Sequence, residues 1–396
     1  MYTCLRYALP VCLAILLISL SQYAPARQPV TWQVGPERLL TLPSEAARLA
    51  HHGDSIEIDA GLYLNDYAVW HQDNLTIRGI GGFAHLHSSR LIPNGKGIWI
   101  INGQNTRLEN LEFSGARVLS TNGAGIRHEG GDLTLRNTFF HDNEFSILSG
   151  VNPRAHIDVR DSRFWFQRRE TRFSHGIYIG NAGRLTLVGN HFTGTDQGHQ
   201  VKSRALENFI LYNRIEDSPA GNSSRLIDLP NCGFSIIMGN DLHQGAGSGN
   251  LNMIGYGMEG CEARTARQKQ LYVVNNSLLN DALTATVVNN RADGWALVAN
   301  NLLRGNGTWL SGKGEAVDNL REARGDASTR QWGLSPGSRA IDAAVTLPQL
   351  SPATAHSLIP QRQFNPPAGS RPRPLSGALD IGSREWVTSG AQQPGD

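Results

Sequence analysis

Three features of this 396-residue chain predict an all-β fold, a right-handed parallel β-helix. Short apolar stretches (GIWI, GIRH, FSIL, GIYI, QVKS, LIDL and NMIG) place Ile98, Ile126, Ile147, Ile177, Val201, Ile227 and Ile254 in one recurring column. A second column, Ile80, Phe113, Phe140, Phe164, Phe192, Ile215, Leu242, Leu278 and Leu302, keeps phase with the first, its members 23 to 36 residues apart. Each follows another apolar residue by five positions: Leu75, Leu108, Leu135, Val159, Leu187, Ile210, Ile237, Val273 and Leu297. Two columns that hold phase through intervals of varying length, with no helical spacing between them, describe stacked short strands with the slack in loops. The third feature is asparagine two residues before the second column from mid-chain onward, at Asn190, Asn213, Asn240, Asn276 and Asn300. Asparagine tolerates left-handed backbone, and stacked amides can bond along such a column.

Residues 1–26 read as a secretory signal peptide: Arg6 is the positive end, VCLAILLISL the apolar run, and Ala24-Pro25-Ala26 the small-residue cleavage site. Ten apolar residues are too few for a bilayer, which takes about 20, so no stable membrane anchor is expected. The mature chain is then periplasmic or secreted. Residues 27–73 form an N-terminal cap and first strand. PSEAARLAHHGD predicts a short helix with Ser44 as N-cap and Gly53 as stop, and SIEIDAGLYL alternates like a strand. A helix is expected there because a solenoid end exposes apolar rungs and unpaired edges. Coils run over 74–310, about 28 residues each on average, with three strands and three turns per coil. Residues 311–396 change character. The last 61 hold nine of the 18 prolines, which predicts a wrapped C-terminal cap with a partly disordered polar tail from Thr388.

Composition removes some functions. A formal charge of +2, 18 % charged residues and no basic run leave no nucleic-acid footprint. Of four cysteines, Cys4 and Cys12 leave with the signal; Cys232 and Cys261 follow stacked isoleucines on adjacent coils and, in an oxidising compartment, are expected to bond. The protein is expected to be a monomer.

Strand alternation sorts the reactive residues. If the first column points inward, each following residue points out of the same face: Trp99, Arg127, Leu148, Tyr178, Lys202, Asp228 and Gly255. Rungs about 4.8 Å apart make Tyr178, Lys202 and Asp228 a contiguous trio, with Arg204 on the same face. His175 and His199 stack at the strand entrance beside Arg225, and Glu259 stands at the exit of the next strand. Such a cluster suits removal of a proton next to a carboxylate. Arg204 or Arg225 would offset the charge that develops on the substrate carboxylate. Lys202, whose neutral form neighbouring cations favour, or His199 would be the base. Tyr178 would be the acid for the leaving oxygen, and His175, Arg225, Asp228, Glu259 and Arg127 would bind substrate. The plain alternative is a solvated Lys202–Asp228 pair with two turn-capping histidines. Trp99, Trp165 and Trp295 are too scattered for a sugar-stacking platform.

GHQVKSRALENFILYNRI followed by SRLIDLPNCGFSIIMGNDL resembles the active-site repeat of the chondroitinase B and alginate lyase family. These are exported parallel β-helix enzymes with a pectate-lyase-like solenoid, in which the lysine of a K-S motif is the base; Lys202-Ser203 matches it. The resemblance implies calcium, but Thr195 and Gln197 stand where the acidic ligands precede the lysine, and LIDLP replaces the downstream arginine motif. No cofactor and no metal ligand is therefore assigned. SHGIYIG and the Lys202 strand also resemble the GHG and R-I-K motifs of polygalacturonases, with His175 and Lys202 at matching positions, while SILSGVNPRA lacks that family's aspartate pair. LSPGSRAIDAA and GALDIGSREW resemble closing motifs of exported β-helix proteins.

The function expected is a polysaccharide lyase that cleaves an acidic, uronate-containing polysaccharide by β-elimination. The alternatives are a uronate C5-epimerase sharing the proton abstraction, a glycoside hydrolase using Asp228 and Glu259, and a non-catalytic polysaccharide-binding solenoid.

Overall fold

The computed structural model describes residues 27–165, 174–217, 221–323, 332–350, 357–375 and 377–387. The expected signal peptide at 1–26 and the tail from Thr388 lie outside the described residues. The chain is a right-handed parallel β-helix with three strands per coil. One face is a ten-stranded parallel sheet in which strands follow one another in chain order, from Ala68–Trp70 through Ala124–His128, His175–Ile179, Val201–Ser203 and Ile227–Leu229 to Thr308–Ser311. The other two faces, carrying strands such as Leu133–Arg136 and Phe139–His141, belong to one 21-stranded sheet. Parallel in-register pairing places like residues of successive coils on top of one another. Phe113, Phe140, Phe164 and Phe192 are fully buried, their neighbouring rings stacked at 5.2, 5.2 and 4.3 Å. Ile126, Ile147, Ile177, Val201, Ile227 and Ile254 form an unbroken inner rung with no exposed surface. Each buried side chain of this size stabilises by about 1.5–3 kcal/mol.

The ends of the predicted columns are off by one or more places. Trp99, not Ile98, sits opposite Ile126, packed edge-on against Trp70 and Phe113, so Ile100 rather than Trp99 is the outward neighbour of Arg127. Ile80 is 38 % exposed opposite Asp59; Leu86 fills the inward place beside Phe113, and Ile77 rather than Leu75 faces Leu108. Gly81 and Gly82, both at positive φ, carry the 12-residue strand Thr76–His87 around a corner and add residues that a fixed interval does not foresee. At the far end Leu303 and Val298, not Leu302 and Leu297, continue the columns; Leu302 packs instead against Ala340 and Ile381 of the C-terminal segment.

The asparagine ladder continues likewise through Asn301, not Asn300. Amide bonds of 3.0, 3.0, 2.9, 2.9 and 2.8 Å link Asn190, Asn213, Asn240, Asn276, Asn301 and Asn319. The left-handed residues are those just before the ladder: Gly189, Tyr212, Gly239, Asn275 and Asn300.

The helix is Pro43–Leu49 with Leu42 at the N-cap, not Ser44, and it ends before Gly53, at Ala50. Proline at the first position and Glu45, which accepts from the Leu42 N–H at 3.0 Å, fix that start. It buries Pro43, Ala46 and Ala47 at the N-terminal end. Strands begin earlier and end later than 74–310, from Thr31–Val34 to Leu320–Glu322. The C-terminal segment lies along the flank of the coils rather than over their end. Val345 bonds Asn300, Gln361 bonds Tyr212, Gly369 bonds Gly189, and Arg384 donates at 2.6 Å to the buried Asp241.

Candidate active site

Tyr178, Lys202 and Asp228 stand opposite one another on three adjacent strands of the ten-stranded face. Lys202 Nζ lies 3.1 Å from Glu259 Oε1 and 3.6 Å from Asp228 Oδ2. Arg204 donates from Nε to the Tyr178 hydroxyl at 2.8 Å, pairs with Glu259 Oε2 at 2.7 Å, and also donates to Asn231. Arg225 NH1 reaches Asp228 Oδ1 at 3.2 Å. Its side chain passes close over Gly255, where a Cβ would meet Arg225 Cδ and Asp228 Oδ1 at 2.9 Å, so a larger residue there would displace the Arg225–Asp228 pair.

Two kinds of carboxylate result. Asp228 is 1 % exposed, and burial raises its pKa against the pull of Arg225 and Lys202. Glu259 keeps nearly half its side chain in solvent; its burial would raise its pKa, but the bonds from Arg204 and Lys202 outweigh this and lower it. Glu259 is held by its loop. Its N–H donates to Pro230 at 2.8 Å, and the disulfide Cys232–Cys261, with Cα atoms 5.7 Å apart, closes the base of that loop.

The histidines form a buried step beneath. His175 and His199 stack with ring centroids 5.0 Å apart. Each Nδ1 accepts a backbone N–H, His175 from His199 at 2.9 Å and His199 from Arg225 at 3.1 Å. That fixes the remaining ring proton on Nε2, which in His199 points at Asp228 Oδ2, 3.5 Å away. Burial, then neighbouring cations, depress His175 to about 3; burial, then His175 and the cations, depress His199 to about 2. Both rings are therefore neutral, and His199 is arranged to donate a proton rather than accept one.

Eight of the nine predicted residues thus meet. Arg127 does not: it is two rungs from Tyr178, beyond Leu148, and pairs with Glu129 at 2.6 Å. Asn231 and Arg264 were not foreseen. Arg264 donates to the backbone oxygens of Arg204 at 2.7 Å and Asn231 at 2.9 Å, and to the Asn181 side chain at 3.2 Å, tying the Glu259 loop to the strand exits. It lies three residues after Cys261 in an irregular loop, where strand alternation gives no signal.

The residues do not fit a calcium ion. Thr195 is buried and donates to Gln200 at 2.7 Å, Gln197 is exposed, and Asp196 is the one carboxylate of that segment, against the 6–8 oxygen ligands calcium takes.

Residues 60–218 match the family model described as the right handed beta helix region. No curated protein matches the sequence significantly. Among solved structures the chain is similar to the pectate lyase Pel9A, at TM-score 0.59 and 13 % identity over 90 % of this chain and 96 % of that one. It is also similar to an alginate lyase from Paenibacillus sp. str. FPU-7, at TM-score 0.48 and 16 % identity over 74 % of this chain and 99 % of that one. A lacto-N-biosidase of group GH136 from Eubacterium ramulus gives TM-score 0.45 and 12 % identity over 74 % and 68 %. By its own coils and by the Pel9A comparison, this protein is a right-handed parallel β-helix.

Proposed function

We propose that the protein is an exported, carbohydrate-active enzyme that cleaves a uronate-containing polysaccharide by β-elimination. One observation carries this reading: Lys202 and Arg204 converge on a single solvent-facing carboxylate, Glu259, so the groove holds an anion site filled by the protein's own side chain. Three cations, Lys202, Arg204 and Arg225, against two carboxylates leave a positive excess, because the histidines are neutral. A substrate uronate would displace Glu259 and take the Arg204 guanidinium, which offsets charge as the C5 carbanion forms. That displacement also removes one of the two carboxylates that hold the Lys202 proton. Once its ammonium proton has passed to solvent, the neutral Lys202 amine takes the C5 proton and becomes the ammonium again. Tyr178, whose oxygen accepts from Arg204 and whose own proton therefore points elsewhere, protonates the leaving C4 oxygen. Arg225 is committed to the buried Asp228, so it positions rather than clamps. The fold shared with Pel9A, named a pectate lyase, supports the class by analogy only.

A hydrolase is the second reading. Asp228 and Glu259 both approach Lys202 Nζ, at 3.6 and 3.1 Å, so those oxygens are at most about 7 Å apart, an upper bound compatible with the roughly 5–5.5 Å spacing of a retaining pair. The near-complete burial of Asp228 disfavours it.

The test is incubation with a panel of uronate and neutral polysaccharides, following chain length and ultraviolet absorbance. Elimination leaves an absorbing C4–C5 double bond in products of uronate polymers alone. Shortening without absorbance would transfer the assignment to hydrolysis, and an epimerised polymer of unchanged length would replace cleavage with epimerisation.

A further inference from the structure

A second cluster of ligating side chains lies on the three coils that precede the coil of Tyr178, on a different face. His85 and His87 flank the inward Leu86 on Thr76–His87. Glu112 and Ser114 flank Phe113 on the next coil, and His141 follows Phe140 on the one after. Parallel register sets His85 opposite Glu112, and His87, Ser114 and His141 in one row. Glu112 Oε1 is 3.0 Å from His141 Nε2 and 3.4 Å from His85 Nδ1, and one ligand atom from each of the three lies within 4.8 Å of the others.

The outer nitrogens decide what these contacts mean. His141 Nδ1 is 2.6 Å from Asp142 Oδ2, which only accepts, so that nitrogen carries a proton. His85 Nε2 is 2.7 Å from Ser114 Oγ, which His87 Nδ1 also contacts at 2.7 Å. With their protons on those outer atoms alone, His85 and His141 would turn lone pairs toward the Glu112 carboxylate, and a cation between the three would satisfy all of them. A carboxylate or hydroxyl on the far nitrogen of a ligating histidine is the usual support of a metal site. The 3.0 and 3.4 Å separations also match the edge of about 3.3 Å that a tetrahedron with bonds of about 2.0–2.1 Å requires.

We propose that His85 Nδ1, Glu112 Oε1 and His141 Nε2 bind one divalent first-row transition ion, zinc foremost, and so clamp three successive coils. Two imidazoles and one carboxylate favour such an ion over calcium or magnesium. The three side chains are each 19–26 % exposed, which leaves the fourth position to water.

The experiment strips the mature, full-length protein of metal with a chelator, then titrates ZnCl2 by calorimetry, with CaCl2 as control and Co2+ absorption as a geometric readout. One zinc per chain, a raised melting temperature, a tetrahedral Co2+ spectrum and no response to calcium are expected. Glu112→Gln and His141→Gln should each weaken zinc binding by more than about tenfold, whereas Lys202→Ala should bind zinc like the wild type. Absence of zinc binding, or binding by both variants as tight as the wild type's, overturns the proposal; the Glu112–His141 contact is then an imidazolium–carboxylate pair. Should either variant fail to fold, His85→Gln gives the same comparison.

Discussion

Without Glu259 anchored over them, Lys202 would keep Asp228 as its charge partner and Arg204 only the neutral Tyr178 and Asn231, and beside this charged layer stand two buried neutral imidazoles. The imidazoles set a pH dependence. His128, His175 and His199 have folded pKa values depressed to about 4, 3 and 2, in each case foremost by burial. An unfolded histidine protonates near 6.5, so below that pH the unfolded chain binds more protons and stability falls with pH. The loss begins near pH 6.5 and continues toward the folded values, by up to about 1.4 kcal/mol per pH unit for each group. His85, lowered foremost by burial, adds to them, while His141, whose pKa Glu112 and Asp142 raise against its burial, and the carboxyls of Asp66, Asp217 and Asp228, raised foremost by burial, oppose them. Denaturant midpoints measured from pH 8 to 5 should therefore fall, and His199→Gln should flatten the slope; a midpoint independent of pH would contradict the neutral pair. The trio Tyr178, Lys202 and Asp228 was legible because strand alternation and stacking are local rules. The tautomers of His175 and His199 were not, since they depend on backbone N–H groups one coil away.

On the strands of Tyr178, Lys202 and Asp228 an inward aliphatic alternates with an outward functional residue, so the core rung and the site share a register. Ile177, without exposed surface, fixes the direction of Tyr178. Ile177→Asp would bury an unpaired carboxylate between Ile147 and Val201 at a cost above about 4 kcal/mol. Circular dichroism should show loss of the cooperative transition; a soluble, cooperatively folding variant would contradict the rung. The middle coils were readable because their strands are short and their corners regular. The first coils were not: Gly81 and Gly82 shift the phase of Thr76–His87, and the misplaced Ile80 concealed the sequence HLH. The flanks of Phe113 and Phe140, in LEFS and FFH, held the signal for that cluster.

Over the whole molecule the solenoid separates its tasks by face. The C-terminal segment seals one flank through Arg384, Asp241 and Tyr212, the His85 cluster joins early coils, and the ten-stranded face carries the cluster of Lys202, Arg204 and Arg225. Nothing in the proline content foretold which flank would be covered, because those contacts join residues 143 and 149 positions apart. Among the described residues no helix is long and apolar enough to cross a membrane. On the proposed reading, Lys202 of this cluster removes a proton from a uronate. That reading is tested most directly by the ultraviolet absorbance of products formed from a uronate polysaccharide by the wild type and by Lys202→Ala. The account predicts absorbing products from the wild type and a rate at least about 10²-fold lower in the variant, with unchanged circular dichroism. Full activity in Lys202→Ala, or wild-type products without the double bond, would contradict it.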